Sequence, residues 1–166
     1  MVCSCTVPAE NYPENAEWGP LFWKLLHGLA ELSGIQININ SQKDEIRNWV
    51  LILESLQYTL PCDICRQHYS EWVRKIEPKK LANIPYSNVR TWIRTNLWEL
   101  HNTINEGNNR LIFPFENLHT VYSSIDITST WKALQPVIKK AIMLNGIHYL
   151  AWAKFLNHVR TLQGYY

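Results

Sequence analysis

Trp18-Gly19-Pro20-Leu21-Phe22-Trp23-Lys24-Leu25-Leu26-His27-Gly28-Leu29-Ala30-Glu31-Leu32 is the stretch from which the fold is read. Phe22, Leu25, Leu26, Leu29 and Leu32 recur at intervals of three and four, which places them on one face of an α-helix. Pro20 fits a first turn, where a missing N–H is least missed, and Gly34 offers a C-terminal stop. Downstream, Ser41 and Asp44 resemble a capping pair, and Ile46, Trp49, Val50, Leu53 and Leu56 mark the apolar stripe of a second helix. A third helix is predicted after Leu60-Pro61, with Pro61 in its first turn, running through Cys65, Tyr69, Trp72, Val73 and Ile76 and ending before Pro78. A fourth begins near Ser87 and uses Val89, Trp92, Ile93, Leu97, Leu100 and Ile104, until Glu106-Gly107-Asn108-Asn109 breaks it. Shorter helices are predicted over residues 115–124, 129–144 and 147–162. Strand-like alternation is confined to residues 35–40, too brief to build a sheet. The expected fold class is all-α, with a helix bundle as its simplest architecture.

Upstream of that stretch, residues 1–16 carry two cysteines and little periodicity, and read as a flexible arm. A chain of 166 residues supports one ordinary core. No run approaches the roughly 20 apolar residues that span a bilayer. The start has no basic segment followed by an apolar one, so no secretory leader is expected, and no Arg precedes Arg47, against a mitochondrial transit peptide. A net charge of +2 with scattered Lys and Arg argues against a nucleic-acid partner.

All four cysteines fall in two close pairs, Cys3 with Cys5 and Cys62 with Cys65. Ordinary buried thiols explain either residue of a pair but not the pairing. A structural zinc site would want two pairs with two to four intervening residues close together, whereas Cys3 and Cys5 have one and lie far upstream; no metal is expected. Dithiol redox chemistry has a physical reason behind it: the partial positive charge at a helix N-terminus stabilises a thiolate in the first turn, and Cys65 lies one turn from Cys62. A thioredoxin-like protein shares this spacing but needs a βαβ pattern that is missing here. Cys3 and Cys5, one residue apart, would form a readily exchanged disulfide suited to a shuttle, or are tail thiols with no role.

A dithiol pair needs an electron sink, and without a metal ligand set an organic cofactor is implied. Trp23 and His27 are four apart on the first helix, and Trp98, His101, Asn102 and Asn105 share a stripe on the fourth. With His68 and Tyr69 just past Cys65, they offer aromatic walls and hydrogen-bonding groups suited to an isoalloxazine or adenine ring. Trp49, Trp72, Trp131, Trp152, His119, His148 and His158 are read as ordinary core residues. The rival from another class is a helical binding or scaffold protein without catalysis, or a structural zinc protein.

These segments resemble the Erv/ALR FAD-linked sulfhydryl oxidases over about residues 17–124. Residues 18–30 look like the family's flavin-binding first helix, Leu60-Pro61-Cys62-Asp63-Ile64-Cys65-Arg66-Gln67-His68-Tyr69 like its active-site segment, and His101-Asn102-Thr103-Ile104-Asn105 like its His-Asn-x-Val-Asn element. The Trp-Gly-Pro opening looks like versions from large DNA viruses. The resemblance implies a four-helix bundle enclosing FAD, often a homodimer, which oxidises protein dithiol clients and passes electrons to oxygen, giving hydrogen peroxide. It implies that Cys65 is the flavin-proximal thiolate and Cys62 the exchanging thiol. Gly19, Pro20, Trp23, His27, His68, Tyr69, Trp98, His101, Asn102, Ile104 and Asn105 would then line the cofactor site. The family's Lys-rich turn is replaced by residues 106–111, which leaves Arg110 as the candidate phosphate contact. The organisation expected is an arm over residues 1–16, the oxidase bundle over 17–124 and a helical extension over 125–166. The setting implied is the cytoplasm of an infected host cell and the virion, or else the mitochondrial intermembrane space.

Overall fold

Residues 10–166, which the computed structural model describes, form helices α1 (Asn15–Leu32), α2 (Ile39–Ser55), α3 (Asp63–Ile76), α4 (Val89–Gly107), α5 (Asn117–Tyr122), α6 (Ile127–Met143) and α7 (Tyr149–Gln163). There is no strand among the described residues. Residues 35–38 form a bend, and α2 starts earlier than its sequence suggests because Asn38, not Ser41, caps it: the Asn38 side chain accepts from Asn40 N–H at 2.8 Å. α1 also starts early. The Glu17 carboxylate accepts from the Glu14 N–H at 2.6 Å, which adds a turn before Trp18 and leaves Pro20 inside the helix rather than in its first turn. Pro61 stands just before α3, and Cys62 is the residue that caps it.

The stripes read from the sequence meet in one core. Leu25, Leu29, Trp49, Ile52, Leu53, Leu56, Leu97, Phe155 and Leu162 are essentially inaccessible to water, and each contributes about 1.5–3 kcal/mol through burial. Residues 127–162 belong to the same core: α6 lies on α1 and α7 on α2, with Trp131 and Trp152 stacked at 5.5 Å. The α1–α6 approach is close enough that a Cβ on Gly28 would sit 2.6 Å from Ile127 Cδ1.

The α2–α7 side carries a polar cluster. Glu45 is fully buried, and its carboxylate accepts from Gly34 N–H at 3.0 Å, from the Tyr166 hydroxyl at 2.5 Å and from the Tyr86 hydroxyl. Trp49 Nε1 donates to the Tyr166 oxygen at 3.2 Å. Gly34 holds φ +74°, a left-handed turn that points its N–H into the cluster and that a side chain would strain. No helix is long and apolar enough to cross a membrane among the described residues.

Candidate active site

The segment that carries Cys62 and Cys65 is shaped by the α2–α3 turn. Pro61 is buried, Cys62 has extended backbone at φ −147°, and Cys65 N–H lies 3.1 Å from Cys62 Sγ. The two sulfurs are joined in a disulfide, with Cα atoms 5.1 Å apart. Capping puts Cys62 where the unpaired N–H groups of α3 concentrate positive potential, the environment that favours a thiolate. Both cysteines are half-buried against the core, and Asn15 Nδ2 lies 4.0 Å from Cys65 Sγ.

That contact ties the sulfurs to the start of a ladder on α1. Asn15, Gly19, Trp23, His27 and Glu31 follow at intervals of four, hence along one face; from Asn15 to His27 is about 18 Å at the helical rise. Trp23 stacks on His101 of α4 at 4.1 Å with planes 10° apart. His27 Nε2 and His101 Nδ1 are 3.2 Å apart, and His27 stacks on Tyr122 of α5 at 4.5 Å. Burial, with help from His101 and Arg94, pushes the His27 pKa down to about 3. Burial and the nearby Arg110 push that of His101 down to about 4. Both rings are therefore neutral at pH 7, one donating and one accepting. Beyond them, buried Glu31 is paired with Arg94 Nε at 2.7 Å and meets His119 Nδ1 at 3.0 Å.

The structure separates the remaining residues singled out from sequence by what their polar atoms do. Trp98 Nε1 donates to Phe113 O at 2.7 Å; Asn102 Nδ2 donates to the same carbonyl at 3.0 Å while its Oδ1 accepts from Phe113 N–H at 2.8 Å. Both hold the loop after α4. Asn105 Nδ2 is 3.4 Å from Asn102 Oδ1, Ile104 is exposed, and Arg110 on that loop faces His101 electrostatically. Tyr69 is a core pillar: its hydroxyl donates to Leu53 O at 2.8 Å, and burial raises its pKa well above the usual value. His68 and Pro20 are exposed. His119, read as a core residue, is instead exposed and turned onto Glu31. Cys3 and Cys5 lie outside the described residues. The sequence reading does not single out Asn15, Tyr122, Glu31 or Arg94; Glu31, four residues after His27, carried a signal, whereas Asn15 fell in the stretch read as an arm.

The ladder suits a planar ligand on two counts. A helix-interior glycine costs about 1 kcal/mol relative to alanine, yet a Cβ on Gly19 would meet nothing within 4 Å, so the fold itself gives no reason for the missing side chain. The aromatic wall beyond it is uncharged, with Trp23 and His101 only partly covered and His27 and Tyr122 buried behind them. Two surface clefts, about 470 and 480 Å³, are lined mainly from α2, α3 and α7 and include neither cysteine nor the histidine pair.

Comparison with known proteins bears on this arrangement. Residues 20–124 match the Erv1 / Alr family. A FAD-linked sulfhydryl oxidase of African swine fever virus (isolate Pig/Kenya/KEN-50/1950) is 29% identical over 106 residues, covering 63% of this chain and 79% of that protein. No solved structure matches.

Proposed function

The chain belongs to the Erv1 / Alr family, and from that premise we infer that it is an FAD-dependent sulfhydryl oxidase that makes disulfide bonds in protein clients and delivers the electrons to oxygen as hydrogen peroxide. One observation carries this reading: a disulfide capping α3 abuts the first residue of a helical ladder that passes an empty glycine position and ends in a neutral histidine pair.

A client thiolate attacks Cys62 Sγ, the Cys62–Cys65 bond breaks, and Cys65 leaves as a thiolate stabilised by the N-terminus of α3. The client's second thiolate attacks the client sulfur of this mixed disulfide and frees Cys62. The client departs oxidised, and its two electrons reside in the reduced Cys62–Cys65 pair. FAD, when bound, supplies the two-electron sink that oxygen can reoxidise. The residues that would hold it are Gly19 and Pro20 by leaving room, Trp23, His27 and His101 by aromatic contact, Ile104 by its exposed apolar side chain, Asn105 by its amide and Arg110 by its charge. His68, exposed on α3 one turn after Cys65, would meet the client rather than the cofactor. Tyr69, Trp98 and Asn102 shape the site, their polar atoms being engaged within the protein.

Cys3 and Cys5 serve as the shuttle in this scheme. A homodimer is part of this reading. The viral relative suggests the cytoplasm of an infected cell, rather than the mitochondrial intermembrane space, as the place of action. The test is direct. Purified protein given a dithiol in air should be yellow, consume oxygen and release an equal amount of hydrogen peroxide; colourless protein that consumes none would refute the assignment.

A further inference from the structure

Arg66 follows Cys65 directly, and its side chain reaches across the redox segment. Its Nη1 donates to Leu60 O at 2.6 Å and to Gly146 O at 2.8 Å, and its Nη2 pairs with the Asp63 carboxylate. The acceptors at positions 60 and 63 straddle Cys62. The third acceptor comes from residues beyond the matched 20–124 segment. The α6–α7 turn presents that carbonyl in a fixed way: Asn145 takes φ +59°, Gly146 N–H donates to Ala141 O at 2.8 Å, and Asn145 N–H donates to Ile142 O at 3.0 Å, a paired closure that locks the helix end. Tyr12 covers the turn so closely that any Cβ on Gly146 would overlap its ring.

The arrangement resolves an electrostatic conflict. Asp63 sits in the first turn of α3, where a carboxylate stabilises the helix. The same negative charge, next to Cys62 and two residues from Cys65, opposes formation of thiolates there. A cation placed on Asp63 offsets that opposition.

Building on the reading of Cys62–Cys65 as the redox pair, we propose that Arg66 is a positioning residue through which the C-terminal extension tunes that pair. The Gly146 and Leu60 carbonyls hold the guanidinium against Asp63, and the neutralised carboxylate leaves the reduced pair easier to form. The oxidising power of the site thus depends on helices outside the family-matched segment.

The relevant equilibrium is protein disulfide plus two glutathione thiols against protein dithiol plus glutathione disulfide. It is measured on the flavin-loaded, full-length protein by trapping free thiols with an alkylating agent and weighing the product. Arg66→Gln should shift the equilibrium toward the protein disulfide by about threefold to tenfold, or ~15 to 30 mV. Asp63→Asn in the same chain should return it to the wild-type value, which a purely structural role would not do. Arg66→Lys keeps the charge but lacks the fork that bridges two carbonyls, and should show a partial shift. An Arg66→Gln protein with the wild-type equilibrium overturns the proposal, as does failure of Asp63→Asn to restore it; a wild-type equilibrium in Arg66→Lys removes the extension's part in it. Failure of the underlying reading looks different: turnover would survive Cys62→Ser while the Arg66 shift persisted.

Discussion

Two buried polar clusters on opposite partners of α1 and α2 differ in one respect. Around Glu45, every oxygen is spoken for: Gly34, Tyr86 and Tyr166 donate to it, and Trp49 completes the Tyr166 hydroxyl. Around His27 and His101, the two imidazoles bond to each other and stack on Tyr122 and Trp23, with only Trp23 and His101 left partly exposed and an unfilled glycine position one turn before Trp23. A satisfied cluster holds a fold together, because each donor offsets the cost of burying the carboxylate. A cluster whose outer rings stay partly exposed beside an open position leaves room for something else to complete it. On the proposed function, the first cluster holds the fold together and the second holds the cofactor.

The largest expected effect breaks the first cluster. Glu45→Ala leaves two half-buried hydroxyls and the Gly34 N–H without their acceptor and should lower stability by roughly 2–4 kcal/mol, read as a fall in Tm, while protein that remains folded keeps its flavin. The reverse holds for the second cluster. His101→Ala removes the ring on which Trp23 stacks and the partner of His27, and should weaken flavin retention on the order of thirtyfold to a hundredfold, measured by cofactor content after gel filtration, while the Tm of flavin-free protein falls less than in Glu45→Ala.

Acid sharpens the contrast. The His27 pKa is about 3 in the fold and near 6.5 when unfolded, so the unfolded chain takes up the proton first and stability falls as pH drops from 6.5 through 3. The slope is about 1.4 kcal/mol per pH unit from this group, and His27→Gln should flatten it in urea titrations at several pH values. Burial and the Glu45 carboxylate raise the Tyr166 pKa, so its contribution is lost only on the alkaline side, above the ordinary tyrosine range. The smallest effect is the most discriminating. Gly19→Ala should stabilise flavin-free protein by about 1 kcal/mol and yet weaken flavin binding; stronger or unchanged binding would show that the open position is not a cofactor cradle.

Local spacing made much of this legible. The i, i+4 placement of Trp23 and His27, the stripe that carries His101, and the Cys-X-X-Cys at a helix start are properties of single helices, and they survive folding unchanged. What could not be read depends on which helices meet. Tyr122 reaches His27 from α5, Tyr166 reaches Glu45 across 121 positions, and Arg66 finds Gly146 across 80. Trp98 and Asn102 carried the right periodicity, but the loop after α4 folded back onto their polar atoms. Helix starts were misplaced where Asn38 and Glu17 offered better caps than the residues nearest the apolar run.

The central claim is that electrons pass from the Cys62–Cys65 pair to a flavin held along α1. It is tested most directly by adding dithiothreitol without air and following visible flavin absorption in wild-type and Cys65→Ser protein. Bleaching of the wild type with a persistently yellow Cys65→Ser variant is the predicted result; equally rapid bleaching of both would contradict it.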